Sequence, residues 1–194
     1  SYLGYPFSIS ETFQIRNTNK TIAESLALVA EMHALCQSAS KELVVYISMG
    51  FGNPYGDPWS PALAADWVGR IADLGVGIIS LADTVGTADA TVIGPLFETL
   101  IPRFPDVELG AHFHAAPAQR AAKLQAAWDG ACRRFDSAML GFGGCPFAED
   151  ELVGNIATES LLDFLTLNGV DAGLNGEALA ESLRLATALF GKYH

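Results

Sequence analysis

Short apolar runs alternate with longer stretches of helical spacing along this chain, in units of roughly 30–40 residues. Tyr5–Ser10 predicts a strand. Thr21–Ser38 predicts a helix, with Ile22, Leu26, Val29 and Ala30 on one face and Thr21 placed to cap it. Leu43–Ser48 predicts a second strand, rich in β-branched residues. Gly50–Ser60 is a loop dense in Gly and Pro, after which Pro61 opens a helix to Leu74. Gly77–Leu81 and Val107–Phe113 continue as strands, followed by helices at Ala90–Ile101 and Pro117–Gly130. Phe135–Leu140 is the last predicted strand. The glycine-rich loop Gly141–Gly154 leads to helices at Thr158–Asn168 and Gly176–Phe190.

Apolar strands alternating with amphipathic helices predict a parallel sheet in an α/β fold. Two architectures fit that order. A doubly wound sheet calls for a phosphate-binding glycine turn after an early strand. Neither Gly50-Phe-Gly52 nor Gly141-Phe-Gly-Gly144 has the full spacing and the following acid. The polar residues gather instead where successive strands end, at Ser10-Glu11, Ser48, Asp83-Thr84, His112-Phe-His114 and the Cys145 loop. A (β/α)8 barrel builds its site this way, from the C-terminal ends of many strands. Residues 1–194 then form the C-terminal part of one TIM-barrel domain, holding about the last five βα units and a final helix. The three remaining units are expected ahead of Ser1.

Half of the 194 residues are apolar and 17% are charged, a composition that buries a core. No apolar run approaches the ~20 residues of a membrane span, and Ser1–Ser10 lacks the pattern of a signal peptide. The net charge of −11 disfavours nucleic acid, because it repels phosphate backbones. An anionic small substrate needs a local cation to offset that field. Three cysteines, Cys36, Cys132 and Cys145, do not make a disulfide framework. The expected location is the cytoplasm.

The sharpest chemical feature is His112-Phe-His114. On a strand, residues i and i+2 share a face, so both imidazoles project together and can chelate one divalent metal. The bland alternative is an ordinary hydrogen-bonded pair of buried histidines. Asn155, in Gly154-Asn-Ile-Ala-Thr-Glu159, offers an amide oxygen suited to Mg²⁺ or Mn²⁺, and equally suits a turn or helix cap. Cys145 follows three glycines in a loop that can approach a ligand closely; its thiol is either an acid–base group or a passive side chain. Asp83 either contacts substrate or orients a histidine, or else caps a turn. Tyr46 and Ser48 share a strand face and either line the interior site or pack. Arg16, Lys20, Arg120 and Lys123 are available cations, of a kind usually solvated.

These segments resemble the 3-hydroxy-3-methylglutaryl-CoA lyase family, within the wider group of metal-dependent barrel lyases and acyl-CoA condensing enzymes. The resemblance runs in order through Ser10-Glu-Thr-Phe13, Thr21-Ile-Ala-Glu-Ser25, Ile79-Ser-Leu-Ala-Asp-Thr-Val-Gly86, Ala111-His-Phe-His114, Gly141-Phe-Gly-Gly-Cys-Pro-Phe-Ala148 and Gly154-Asn-Ile-Ala-Thr-Glu159. The Gly-Gly-Cys-Pro loop points to the lyase rather than a synthase. The resemblance implies that His112, His114 and Asn155 hold a divalent cation, Mg²⁺ or Mn²⁺. It gives Cys145 and Asp83 catalytic roles and sets Tyr46, Thr84 and Ser48 at the substrate. It implies an acyl-CoA substrate and a homodimer. The implied reaction is retro-Claisen cleavage of 3-hydroxy-3-methylglutaryl-CoA to acetyl-CoA and acetoacetate. The family's remaining ligand, an aspartate, and an essential arginine belong to the units ahead of Ser1. Ala115 stands where the family usually has a polar residue, and Pro146–Gly154 is more acidic than usual. Both departures bear on the acyl group more than on the metal. The alternatives are a related condensing synthase or oxo-acid aldolase and, from another class, a non-catalytic fragment or assembly module.

Overall fold

The computed structural model describes residues 1–144 and 153–191. Strand β1 (Tyr2–Ser8) is followed by α1 (Glu11–Thr18), α2 (Ile22–Ser38), β2 (Glu42–Ser48), α3 (Pro61–Ala72), β3 (Ile78–Asp83), α4 (Ala90–Arg103), β4 (Glu108–Phe113), α5 (Arg120–Asp129), β5 (Arg134–Phe135), α6 (Thr158–Leu167) and α7 (Gly176–Phe190). The five strands pair in chain order, β1-β2-β3-β4-β5, and every pairing is parallel. A doubly wound sheet reverses its order at a switch point; this one advances in one direction only, as the wall of a barrel does. The parallel α/β sheet and its flanking helices are those of a partial TIM barrel.

Register divides the sheet into two sets of rows. Tyr5, Val45, Ile79 and Leu109 are partners across four strands, and Phe7, Ile47 and Leu81 across three. All are buried in the core, where Val29 of α2, Val68 and Ile71 of α3, Leu96 and Phe97 of α4 and Leu124 of α5 join them. The alternate row runs Pro6, Tyr46, Ser80, Gly110 and Arg134. It is polar where the first rows are apolar, because alternate residues of a strand face opposite sides.

Most predicted elements are present, and their caps explain the boundaries. Thr21 forms a capping box with Glu24, and Ser60 caps the helix that Pro61 opens. Three segments differ. The first strand starts earlier, at Tyr2, and stops at Ser8. Residues Glu11–Thr18, where no helix is predicted, form α1, capped by Ser10 and closed by Asn19 in the left-handed region at φ 55°. Its apolar residues Phe13 and Ile15 are two apart, which hides the helical period. The last strand is short: after Phe135, Ala138 pairs with Ala157, and Met139–Gly141 makes a tight turn with Leu140 at φ 61°. Glu159 holds that turn by accepting from the Leu140 amide. The run thus leaves its pairing with β4 after Phe135 and folds as a turn beside Ala157.

Candidate metal and substrate site

Strand β4 carries the histidine pair out of the sheet. The two rings lie edge to face, with centroids 5.3 Å apart, on the same side of the strand. His114 Nδ1 is 3.0 Å from the Val153 carbonyl. A carbonyl only accepts, so Nδ1 carries the proton and Nε2 keeps its lone pair. Burial lowers the His114 pKa, against the opposing pull of the Val153 carbonyl, which keeps the ring neutral as a metal ligand requires. His112 packs edge-on against Tyr46, centroids 5.5 Å apart, and its Nδ1 faces Asp136 Oδ2 at 3.6 Å. That separation exceeds a hydrogen bond, and Nδ1 is a buried nitrogen without a hydrogen-bond partner.

Asn155 is brought beside the pair by an antiparallel bridge to His114. Its amide nitrogen donates to the Phe142 carbonyl at 2.8 Å, which fixes the amide and turns its oxygen into the available acceptor. Among the described residues, no three His, Cys, Asp or Glu side chains converge as a metal cluster. Two imidazole nitrogens and one amide oxygen are the residues here that could hold a hard or borderline divalent cation with further positions open.

The other candidates fall into place unevenly. Tyr46 is set against His112, as a lining residue would be. Ser48 is buried at the end of β2. The Thr84 hydroxyl accepts from the Met49 amide at 3.0 Å, bracing a residue held at φ 58°. Asp83 is 3% exposed, its carboxylate bonded to Lys123 Nζ at 2.5 Å and to the Ala88 amide at 3.2 Å. That arrangement gives Asp83 an ion-pair role at the strand end. Lys123, expected among solvated cations, is 2% exposed and also donates to the Gly86 and His114 carbonyls. Cys145 lies outside the described residues.

Sequence reasoning passed over Asp136, Ser80 and Arg134. Ser80 donates to Asp136 Oδ2 at 3.0 Å, Arg134 Nη2 lies 3.4 Å from Asp136 Oδ1, and Arg134 also donates to Ser80 Oγ. Burial raises the Asp136 pKa, but His112, Arg134 and Ser80 together outweigh it and hold the carboxyl below its ordinary range. The signal was available: Arg134-Phe-Asp136 places two charges at i and i+2 at a strand end, the spacing that made the histidine pair conspicuous.

A one-directional parallel sheet with its polar side chains gathered at the strand ends defines a chain of the α/β-barrel class. Within that class the chain belongs to the HMGL-like family, whose model matches residues 6–185. It is 35% identical to (R)-citramalyl-CoA lyase of Chloroflexus aurantiacus over 91% of this chain and 55% of that protein. It is 34% identical to hydroxymethylglutaryl-CoA lyase of Pseudomonas mevalonii over 92% of this chain and 61% of that protein. Among solved structures, HMG-CoA lyase from Bacillus subtilis superposes with a TM-score of 0.88 at 27% identity, covering 98% of this chain and 63% of that one. The Acinetobacter baumannii HMG-CoA lyase in complex with coenzyme A and 3-methylmalate gives 0.86 at 30% identity, covering 98% and 62%. The chain thus spans a little over half the length of the relatives it matches. Among the described residues, no helix is long and apolar enough to cross a membrane.

Proposed function

We propose that the protein containing this chain is a divalent-metal-dependent carbon–carbon lyase that cleaves 3-hydroxy-3-methylglutaryl-CoA to acetyl-CoA and acetoacetate. The observation that carries this reading is the juxtaposition of the His112 and His114 rings, with Asn155 bridged to His114, at the strand ends of an HMGL-like chain. His112 Nε2, His114 Nε2 and Asn155 Oδ1 would hold Mg²⁺ or Mn²⁺. When bound, such a cation acidifies a coordinated hydroxyl and offsets charge developing on a carbonyl oxygen.

In the cleavage, the substrate's C3 hydroxyl loses its proton and the C2–C3 bond breaks. C3 becomes the ketone of acetoacetate, and the bonding pair leaves on C2 as the enolate of acetyl-CoA, which then takes up a proton. Cys145, next to Gly144 in sequence, is assigned to that proton traffic. Tyr46 and Ser48 line the inner face below the pair, and Thr84 braces its rim. Asp83 remains a candidate only through the strand end that it holds together with Lys123. The protein is proposed to act as a cytoplasmic homodimer.

A second substrate is favoured by one observation. Ala115, directly after His114, is fully buried and apolar, and the relative at 35% identity is a lyase of (R)-citramalyl-CoA. The same bond cleavage on citramalyl-CoA leaves acetyl-CoA and pyruvate. The test offers both thioesters to the full-length protein with Mg²⁺ or Mn²⁺ and then with chelator. Metal-dependent acetoacetate, lost in His112→Ala, supports the first substrate, and pyruvate alone moves the assignment to the second. Neither product, from a protein that binds Mn²⁺, would remove the lyase reading.

A further inference from the structure

Resting on the cation reading above, we infer that Asp136 is a positioning residue that sets the His112 imidazole for cation binding, with Ser80 and Arg134 fixing the carboxylate in turn.

The inference starts from an asymmetry in the histidine pair. His114 is oriented through Nδ1 by a backbone carbonyl. His112 Nδ1 has no hydrogen-bond partner, yet it is buried and faces a carboxylate oxygen 3.6 Å away. A buried ring nitrogen without a partner is costly, and the acceptor it faces is the one that can relieve that cost with a small ring movement. With the proton on Nδ1, the lone pair resides on Nε2, the nitrogen on the far side of the ring. Carboxylate–histidine–metal relays use this geometry, and the carboxylate also raises the basicity of the ligand nitrogen.

Asp136 is itself fixed from below. Ser80 and Arg134 belong to one register row with Gly110 between them. A side chain at Gly110 would put its Cβ 2.7 Å from Arg134 Nη1 and 2.9 Å from Ser80 Oγ. The bare glycine lets Arg134 cross β4 and reach both Ser80 and Asp136. The carboxylate is thus pinned by a hydroxyl and a guanidinium, and Tyr46 closes the other side of the ring. The row of β-strand partners forms a polar floor under the first histidine.

The experiment measures Mn²⁺ affinity of the full-length protein by the loss of the free-ion magnetic resonance signal, together with the ¹⁵N shifts of His112. Asp136→Ala is expected to weaken Mn²⁺ binding about 10–100-fold. Asp136→Asn, which keeps the shape, should weaken it less, and it decides the matter if the alanine variant does not fold. In the wild type His112 should be protonated at Nδ1, and in the variants it should become a mixture of tautomers, which loss of packing alone would not produce. Wild-type affinity and tautomer in a folded Asp136→Asn or Asp136→Ala protein would overturn the inference while leaving the cation site intact. Failure of the wild type itself to bind Mn²⁺ would sink the cation reading and this inference together.

Discussion

Lys123 Nζ lies 2.5 Å from Asp83 Oδ2, and both side chains are almost wholly shielded from water, at 3% and 2% exposure. The same ammonium donates to the carbonyls of Gly86 and His114, so one cation ties the end of β3, its following turn and the end of β4 to α5. Removing one member of such a pair strands the other charge. Lys123→Met is expected to cost about 3–5 kcal/mol of stability, and the double change Lys123→Met with Asp83→Asn distinctly less than the sum. Urea denaturation of the two single variants and the double variant checks this; additive costs would contradict the pairing.

Asp57 ties the loop after β2 to the start of α1. Its carboxylate accepts from Ser10 Oγ at 2.5 Å, from the Thr12 amide at 3.0 Å and from Thr12 Oγ1 at 3.0 Å. The Ser10 hydroxyl, against the opposing effect of burial and with further help from the Thr12 amide and hydroxyl, holds the Asp57 carboxyl below its ordinary value of 3.8. A lowered carboxyl contributes stability above its unfolded value and loses it as pH falls through the folded value. Asp57→Ala should therefore cost about 1 kcal/mol at neutral pH, at the modest end for a half-exposed group. The difference from wild type should shrink below pH 4 or so, as the unfolded and then the folded carboxyl take up protons. Thermal melts from pH 7 downward would show it, and a difference independent of pH would contradict it.

Helices α4 and α5 approach through glycine. A Cβ at Gly130 would lie 2.6 Å from the Gly94 carbonyl oxygen and 3.0 Å from Phe97 Cβ. The first obstacle is backbone and cannot rotate away. Gly130→Ala should cost about 1–3 kcal/mol through displacement of α4, measured by chemical denaturation. A neutral result would mean that the two helices slide freely.

Cys132 is fully buried between α5 and β5, and burial pushes its thiol up to about 12, against a weaker downward pull from the Arg134 backbone. Only the thiolate reacts readily. Alkylation of Cys132 in the native protein should follow the rate of unfolding and rise steeply in denaturant, as mass spectrometry of quenched samples would record. Rapid labelling without denaturant would show that the thiol is reached from the folded state.

Strand–helix alternation, the parallel sheet and the histidine pair were legible in the sequence. Each rests on local periodicity: two for a strand face, about 3.6 for a helix face, and i, i+2 for ligands that project together. The cap at Thr21 and the helix start at Pro61 were equally local. The resemblance placed Asn155 as the third donor, while its spacing alone left a turn residue equally open. What the chain could not announce was set by distance in sequence. Asp83 meets Lys123 across 40 residues, a buried pairing that no local pattern announces. Asp136 reaches His112 only because β5 lies beside β4, and Ser80 joins them from β3. The Phe135–Leu140 run looked like a strand by composition, but its ladder with β4 stops at Phe135 and Ala138 pairs instead with Ala157. Sequence fixes which faces of each element are apolar; only packing decides which charges meet, because burial makes pairing obligatory and the partner can come from any strand or helix that the sheet brings within reach.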